Sequence, residues 1–198
     1  MKAVLMSIKP KLCELIASGR KTIEVRKTKP KLEVPFKVYI YCTKDNTFAE
    51  KTLRGFDDSG RAIYYKAHKG KVIGEFVCDR IGKTFWTKSP ANPLWVDGYD
   101  EESCLTNREL YEYSKGGTFY EWHITDLVIY DEPRELWEVK SKCKEYGSDN
   151  PKCTECHYYI DGMCYEYDES DCGCNGLKPI TRPPQGYCYV EEDKDGKP

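Results

Sequence analysis

Gly19-Arg20-Lys21-Thr22-Ile23-Glu24-Val25-Arg26 is the stretch whose reading decides the fold. Before it, Pro10-Lys11-Leu12-Cys13-Glu14-Leu15-Ile16-Ala17-Ser18 places apolar residues at 12, 15 and 16, one face of a short helix. Pro10 suits the first helical position, and Gly19 suits the left-handed residue that stops a helix. After the glycine the apolar period changes to two. Ile23 and Val25 point one way, and Thr22, Glu24 and Arg26 point the other. A helix therefore breaks at a glycine and hands over to a strand whose polar face carries a carboxylate and a guanidinium. Two opposite charges two residues apart on a strand can present donors and acceptors to a flat polar ligand.

The octet fits, without a gap, the G-x-K-x-x-E-x-R signature of the ASCH domain, a small PUA-like β-barrel family similar to RNA- and modified-base-binding modules. The resemblance takes in Leu5-Met6-Ser7-Ile8-Lys9-Pro10, Lys37-Val38-Tyr39-Ile40-Tyr41-Cys42 and Val72-Ile73-Gly74-Glu75-Phe76-Val77. Phe119-Tyr120-Glu121-Trp122 and Ile124-Thr125-Asp126-Leu127 extend it to roughly the first two-thirds of the chain. It implies an α+β fold: a small mixed barrel with two or three short helices, over residues 1–138. Fold does not by itself imply activity.

Composition narrows the partners. Among 198 residues, 31 are basic and 33 acidic, for a net charge of −2, so this is no bulk polyanion binder. The basic residues are uneven: Lys9, Lys11, Arg20, Lys21, Arg26, Lys27, Lys29 and Lys31 crowd the first segment. Such a patch can bind phosphate locally, although a solvated lysine face reads equally well for each lysine alone. Nothing resembles a signal peptide or membrane span, so the expected setting is cytoplasmic. Oligomeric state is not legible.

Taken in order, residues 3–8 form a strand, then come the helix and the octet strand, and Val38 and Ile40 alternate with Tyr39 and Tyr41 in the next. Residues 45–70 are polar around Asp57-Asp58-Ser59-Gly60 and read as an inserted hairpin, 48–56 against 62–67. Residues 71–81 form a central strand in which Glu75 is the anomaly. A carboxylate among Ile73, Phe76 and Val77 needs a basic partner or a solvated pocket. Residues 82–99 read as an aromatic-bearing loop. Thr106-Asn107-Arg108-Glu109 is a capping box that opens a second helix, ended by Gly116-Gly117. One closing strand, 119–130, follows.

Past residue 138 the composition shifts. Of 11 cysteines, Cys13, Cys42, Cys78 and Cys104 are scattered and read as small core hydrophobes, whereas seven fall between Cys143 and Cys188. Cys153-Thr154-Glu155-Cys156 is a C-x2-C knuckle, with Cys164 and Cys172-Gly173-Cys174 beyond it. A segment with so few large aliphatics cannot build its own core and needs a staple. Residues 139–190 are thus expected to form a zinc-stapled extension packing on the barrel, with Cys153, Cys156 and Cys172 as ligands and Cys164 or Cys174 as the fourth. Disulfides, unligated thiols or an iron–sulfur cluster are the alternatives. Residues 179–190 read as an extended segment docking back, and 191–198 as a disordered tail. No organic cofactor is expected.

The expected ligand groups are Lys9, Lys21, Glu24, Arg26, Glu75 and Trp122. The resemblance further implies that, in ASCH-like amidohydrolases acting on acetylated cytidine, a lysine–threonine–glutamate set does the chemistry. Lys21 and Glu75 match its ends, and Glu24 replaces the threonine. Lys21, Glu24 and Glu75 are therefore the catalytic candidates if the chain is an enzyme, whether amidohydrolase or ribonuclease. An acid at 24 makes Lys21 a binding group rather than a nucleophile. Strict alternation sets Lys21 opposite Glu24, so their convergence requires an irregular start to the strand. Three classes compete: recognition of RNA or a modified nucleobase, hydrolysis in the same pocket, and sequestration of a small nucleotide.

Overall fold

The computed structural model describes residues 2–44, 51–56, 62–66, 68–85, 99–143, 159–160, 163–164 and 176–192. Strand β1 (Lys2–Ile8) runs into helix α1 (Pro10–Ala17), followed by β2 (Ile23–Arg26) and β3 (Phe36–Cys42). Strands β4 (Lys51–Phe56) and β5 (Ala62–Lys66) pair antiparallel as the expected hairpin. Then come β6 (Val72–Cys78), β7 (Ile81–Phe85), β8 (Tyr99–Asp100), β9 (Leu105–Thr106) and helix α2 (Asn107–Ser114). After α2 lie β10 (Thr118–His123), β11 (Thr125–Arg134), a 3-10 turn (Leu136–Glu138) and β12 (Lys140–Lys142). The last elements are β13 (Tyr159–Ile160), β14 (Met163–Cys164), β15 (Leu177–Pro179) and β16 (Tyr187–Glu191).

Five strands form the main sheet in the order β11-β6-β3-β1-β16, and three form a second, β2-β10-β7. The β1–β3 pair is parallel, which requires a crossover, and α1 with β2 supplies it. The expected barrel is corrected here: among the described residues both sheets keep open edges, at β11 and β16 in one and β2 and β7 in the other. The main core fills the space between the large sheet, α1 and β10, with Met6, Ile8, Ile16, Ile40, Phe76 and Trp122 all buried. A smaller apolar cluster of Ile23, Val25, Leu110 and Phe119 ties β2 and β10 to α2.

Local chemistry accounts for most boundaries. Pro10 begins α1, and Gly19 follows it at φ +72°. Thr106 caps α2 by accepting from the Glu109 N–H, and Glu109 reciprocates, completing the capping box. At its other end the left-handed turn begins at Lys115, one residue before the expected glycines. The single closing strand is also corrected. The chain changes sheets at Ile124, so β10 belongs to one sheet and β11 to the other. Just past that change Asp126 sits at φ +46° and the β11–β6 register shifts twice, whereas the β10 ladders are regular. The central strand expected over 71–81 ends at Cys78, and Ile81–Phe85, with 82–85 expected in a loop, is the edge strand β7 paired with β10.

Gly74 is fixed by a close approach. A Cβ there would lie 2.3 Å from the Val128 carbonyl oxygen and 3.1 Å from Ile129 Cα. The extended C-terminal segment docks as a member of the main sheet. β16 pairs with β1 from Lys2↔Glu191 to Met6↔Tyr187, and Val190 is buried with Ala3 and Leu5. The main sheet thus draws strands from both sides of residue 138. Between them β12 and β15 form a two-stranded stem, closed by Cys143 N–H donating to the Gly176 carbonyl at 2.7 Å. No helix among the described residues is long and apolar enough to cross a membrane.

Candidate functional site

The octet strand does what its alternation predicts. Ile23 and Val25 enter the α2-facing cluster, and Glu24 and Arg26 face a groove of about 1,030 Å3. Strand β2 begins only at Ile23, so Lys21 and Thr22 lie in the irregular lead-in that convergence requires. Lys21 is fully buried, with Nζ 3.3 Å from Glu24 Oε2 and donating to the Ser103 carbonyl at 2.7 Å. Arg26 reaches the other carboxylate oxygen at 2.9 Å and donates to the Ser7 carbonyl at 2.7 Å. One carboxylate is therefore clamped between two cations, and each cation is tied to a backbone carbonyl on a different element.

Four walls enclose this floor. The first turn of α1 contributes Lys9 and Lys11, and the octet strand continues to Lys27. The turn at Cys104 and Leu105 leads into α2, which adds Glu109 and Tyr113. The segment 183–187 forms the last wall, held by Ser7 Oγ donating to the Pro184 carbonyl at 2.6 Å and Ser7 N–H to Gly186 at 3.0 Å. Lys27 Nζ lies 5.0 Å from the Tyr113 ring centroid, a cation–π distance. Burial pushes the Tyr113 hydroxyl above its ordinary range, against the pull of Arg26. Among the described lining residues, Lys9, Lys11, Lys21, Arg26 and Lys27 face only the carboxylates Glu24 and Glu109. The groove is therefore positive on a chain that is slightly acidic as a whole.

The expected site residues divide. Lys9, Lys21, Glu24 and Arg26 meet at this groove. Trp122 is the cross-strand partner of Glu24 but is fully buried, packed edge-on against Phe36 at 5.6 Å and tilted against Tyr187 at 5.2 Å. It supports the floor from beneath and offers no exposed face for stacking. Glu75 is not brought to Lys21. It opposes Tyr39 on the main sheet, where it accepts from Lys37 Nζ at 2.7 Å and from the Tyr130 hydroxyl at 2.6 Å. The basic partner that its sequence context demands is thus Lys37, on a sheet face outside the groove. The set Lys21, Glu24 and Glu75 does not assemble in this geometry.

Sequence reasoning missed Ser103, which acts through its backbone carbonyl and so leaves no side-chain signal. It also missed Pro184 to Tyr187 as a groove wall, because nothing local links them to an octet about 160 residues earlier. Of the metal candidates, Cys153, Cys156, Cys172 and Cys174 lie outside the described residues, and Cys164 is described only as part of β14. Among the described residues no group of three or more histidine, cysteine or acidic side chains is placed to hold a metal ion.

This architecture, with a five-stranded and a three-stranded sheet and two helices, is similar in fold to solved ASCH structures. Among solved structures the chain is similar to the crystal structure of ASCH from Zymomonas mobilis, with a TM-score of 0.51 and 17% identity over 96% of this chain and 88% of that one. Two single-substitution variants of the same Zymomonas mobilis protein give TM-scores of 0.50 and 0.51 at 16% and 17% identity. No protein-family model matches the sequence, and no curated protein matches it significantly. At such identity the likeness speaks for the fold.

Proposed function

We propose that this protein recognises RNA or a nucleotide through the groove floored by Lys21, Glu24 and Arg26. The observation that carries this reading is the clamped carboxylate at the base of a cation-lined groove. A positive groove attracts phosphate, and the rim lysines Lys9, Lys11 and Lys27 are exposed and close to one another in the fold. The floor offers a carboxylate acceptor and a guanidinium donor to a planar polar group. Binding is favoured over hydrolysis because Lys21 Nζ is already engaged by Ser103 and Glu24, and because Glu75 lies elsewhere.

Fluorescence anisotropy with a labelled single-stranded RNA tests this. Three rim contacts predict that log affinity falls against log salt with a slope of about −2. Replacing Lys9, Lys11 and Lys27 together by alanine flattens that slope and weakens binding at least tenfold. Wild-type binding to neither RNA nor mononucleotides, or an unchanged triple variant, refutes the proposal. Tight mononucleotide binding with a shallow slope selects small-ligand capture instead.

We infer separately that the cysteine-rich segment holds structural zinc on Cys153, Cys156 and Cys172, with Cys164 or Cys174 as the fourth ligand. An all-thiolate set with a C-x2-C knuckle supports this reading. A native mass spectrum tests it: added mass near one zinc ion, lost on denaturation, is expected. A mass short of thiol protons with no metal refutes it.

A further inference from the structure

The groove does not end at the wall formed by 183–187. A second cavity of about 300 Å3 adjoins it, lined by Ser7, Tyr41, Thr43, Lys44, Pro183 and Pro184. Four of these, Ser7, Thr43, Pro183 and Pro184, also line the groove, so the two spaces meet along the proline wall. Tyr41 and Lys44 belong to the second space alone. The parallel pairing of β1 with β3 explains why they lie there. Ile8 and Cys42 are register partners, and Thr43 N–H donates to the Ile8 carbonyl at 2.9 Å, one step past the ladder. The C-terminal ends of both strands therefore leave the sheet at one edge. Lys9 enters α1 from that edge and Lys44 leaves β3 at it, so two cations remote in sequence come to the same wall.

Lys44 is exposed, yet its stem rests on Gly70. A Cβ at Gly70 would come 2.8 Å from Lys44 Cε, and Gly70 sits at φ +81°, a conformation that glycine adopts without strain. The wall is fixed from below, with Ser7 bonded to the carbonyls of Pro184 and Gly186. Size and charge then decide what can occupy both spaces. One drug-sized ligand fills a pocket of about 300–1,000 Å3, and the groove alone reaches about 1,030 Å3. A single nucleotide in the groove does not reach the second cavity. Cations on both sides of a proline rim suit a chain that carries a phosphate at every step. The rings of Pro183 and Pro184 give that chain an apolar surface with no backbone N–H to satisfy. A double helix is too stiff to bend over this wall, whereas a single strand follows it.

We propose that the second cavity is a further nucleotide subsite with Lys44 as its phosphate contact, and that the protein takes an unpaired RNA strand lying across Pro183 and Pro184. Lys9, Lys11 and Lys27 hold the part of the strand in the groove, and Lys44 holds the part beyond the wall. The subsite rests on the RNA reading proposed above, and the experiment separates the two.

Fluorescence anisotropy is run on the full-length chain with a labelled, 5′-phosphorylated RNA trinucleotide and with a single-stranded RNA octamer. Each phosphate contact adds about −0.7 to the slope of log affinity against log salt. The trinucleotide, held by the three rim lysines, is expected to give a slope of about −2, and the octamer, which also reaches Lys44, about −3. Lys44→Ala is expected to return the octamer to about −2 and to weaken it at least threefold more than the trinucleotide. Lys44→Arg keeps the charge and is expected to keep the octamer slope, which separates a lost contact from a damaged fold. Binding of neither RNA overturns the RNA reading itself, and the subsite with it. Equal slopes for the two RNAs, or an octamer slope that Lys44→Ala leaves at its wild-type value, overturns the subsite and leaves recognition in the groove standing. A duplex of the octamer that binds as tightly as the single strand overturns the preference for an unpaired strand.

Discussion

Removing the Glu24 carboxylate tests whether the groove floor is held as described. In Glu24→Ala, the cations at Lys21 and Arg26, whose side chains are 0% and 11% exposed, lose the anion between them. Breaking a buried ion pair from one side typically costs about 3–5 kcal/mol, because the stranded charge stays desolvated. For a chain of this length each kcal/mol lowers Tm by roughly 2–4 °C, so Glu24→Ala should melt roughly 6–20 °C lower. Lys21→Met provides the internal comparison. It leaves Glu24 paired with Arg26 and strands only the Ser103 carbonyl, a loss of about 1–3 kcal/mol. The ranking is therefore Glu24→Ala worse than Lys21→Met, with Glu24→Gln between them because it keeps an acceptor for Arg26. Urea unfolding followed by tryptophan fluorescence and far-UV circular dichroism measures all three by linear extrapolation. A Glu24→Ala loss under about 1 kcal/mol, or a reversed ranking, refutes the clamped floor.

Three shorter predictions concern the frame around it. Gly74→Ala places a Cβ against the backbone of β11, which cannot swing aside, so β6 and β11 must part. Overpacking of this kind costs about 1–3 kcal/mol or more, and the urea midpoint should fall accordingly. Thr106→Ala removes the cap of α2 and should cost about 1 kcal/mol in the same assay. Tyr130 carries a pH signature. Burial and the bond to Glu75 raise its hydroxyl well above the ordinary value near 10, so the folded state holds that proton more tightly than the unfolded state. Its contribution is fully present below pH 10 and declines as pH rises above that. Tyr130→Phe should flatten the fall in stability above pH 10, and an unchanged slope would contradict this assignment.

Which parts of this were legible depends on how far each signal had to reach along the chain. The α1–Gly19–β2 unit, the capping box at Thr106 and the 51–56/62–66 hairpin rest on contacts within a few residues, and all appear where the sequence puts them. Strand β7 was hidden because Gly82, Lys83 and Thr84 on an exposed edge need no apolar alternation. The break at Ile124 was hidden because both halves of 118–134 are good strand sequence, and only pairing partners on different sheets separate them. Glu75 and Lys21 carry suitable chemistry, but no local pattern reveals which sheet face a carboxylate occupies. The register with Tyr39 determines that. Ser103 and Pro184 contribute through backbone carbonyls, which every residue possesses, so neither could be singled out in advance.

The stem formed by β12 and β15 gives the cysteine-rich segment a specific relation to the rest. Lys140 to Lys142 pairs with Pro179 to Leu177, and Cys143 meets Gly176 at hydrogen-bond distance, so the segment leaves and rejoins the fold at one point. Its roughly thirty residues can then be replaced by a four-residue turn without stretching the stem. Loop closure alone favours the shorter connection by about 2 kcal/mol, from (3/2)RT ln(30/4). A chain joining 143 to 176 through such a turn should therefore retain the main sheet and its wall at 183–187. It should unfold at a urea concentration no lower than that of the parent. RNA affinity is expected to survive as well, since every described groove residue lies outside the excised stretch. On the zinc proposed above, chelation of the intact protein should likewise release that metal without shifting the unfolding of the sheet. If excision lowers stability by more than about 1 kcal/mol, the segment packs on the sheet and contributes to its core. If stability holds while RNA binding is lost, the cysteine-rich segment belongs to the binding surface itself.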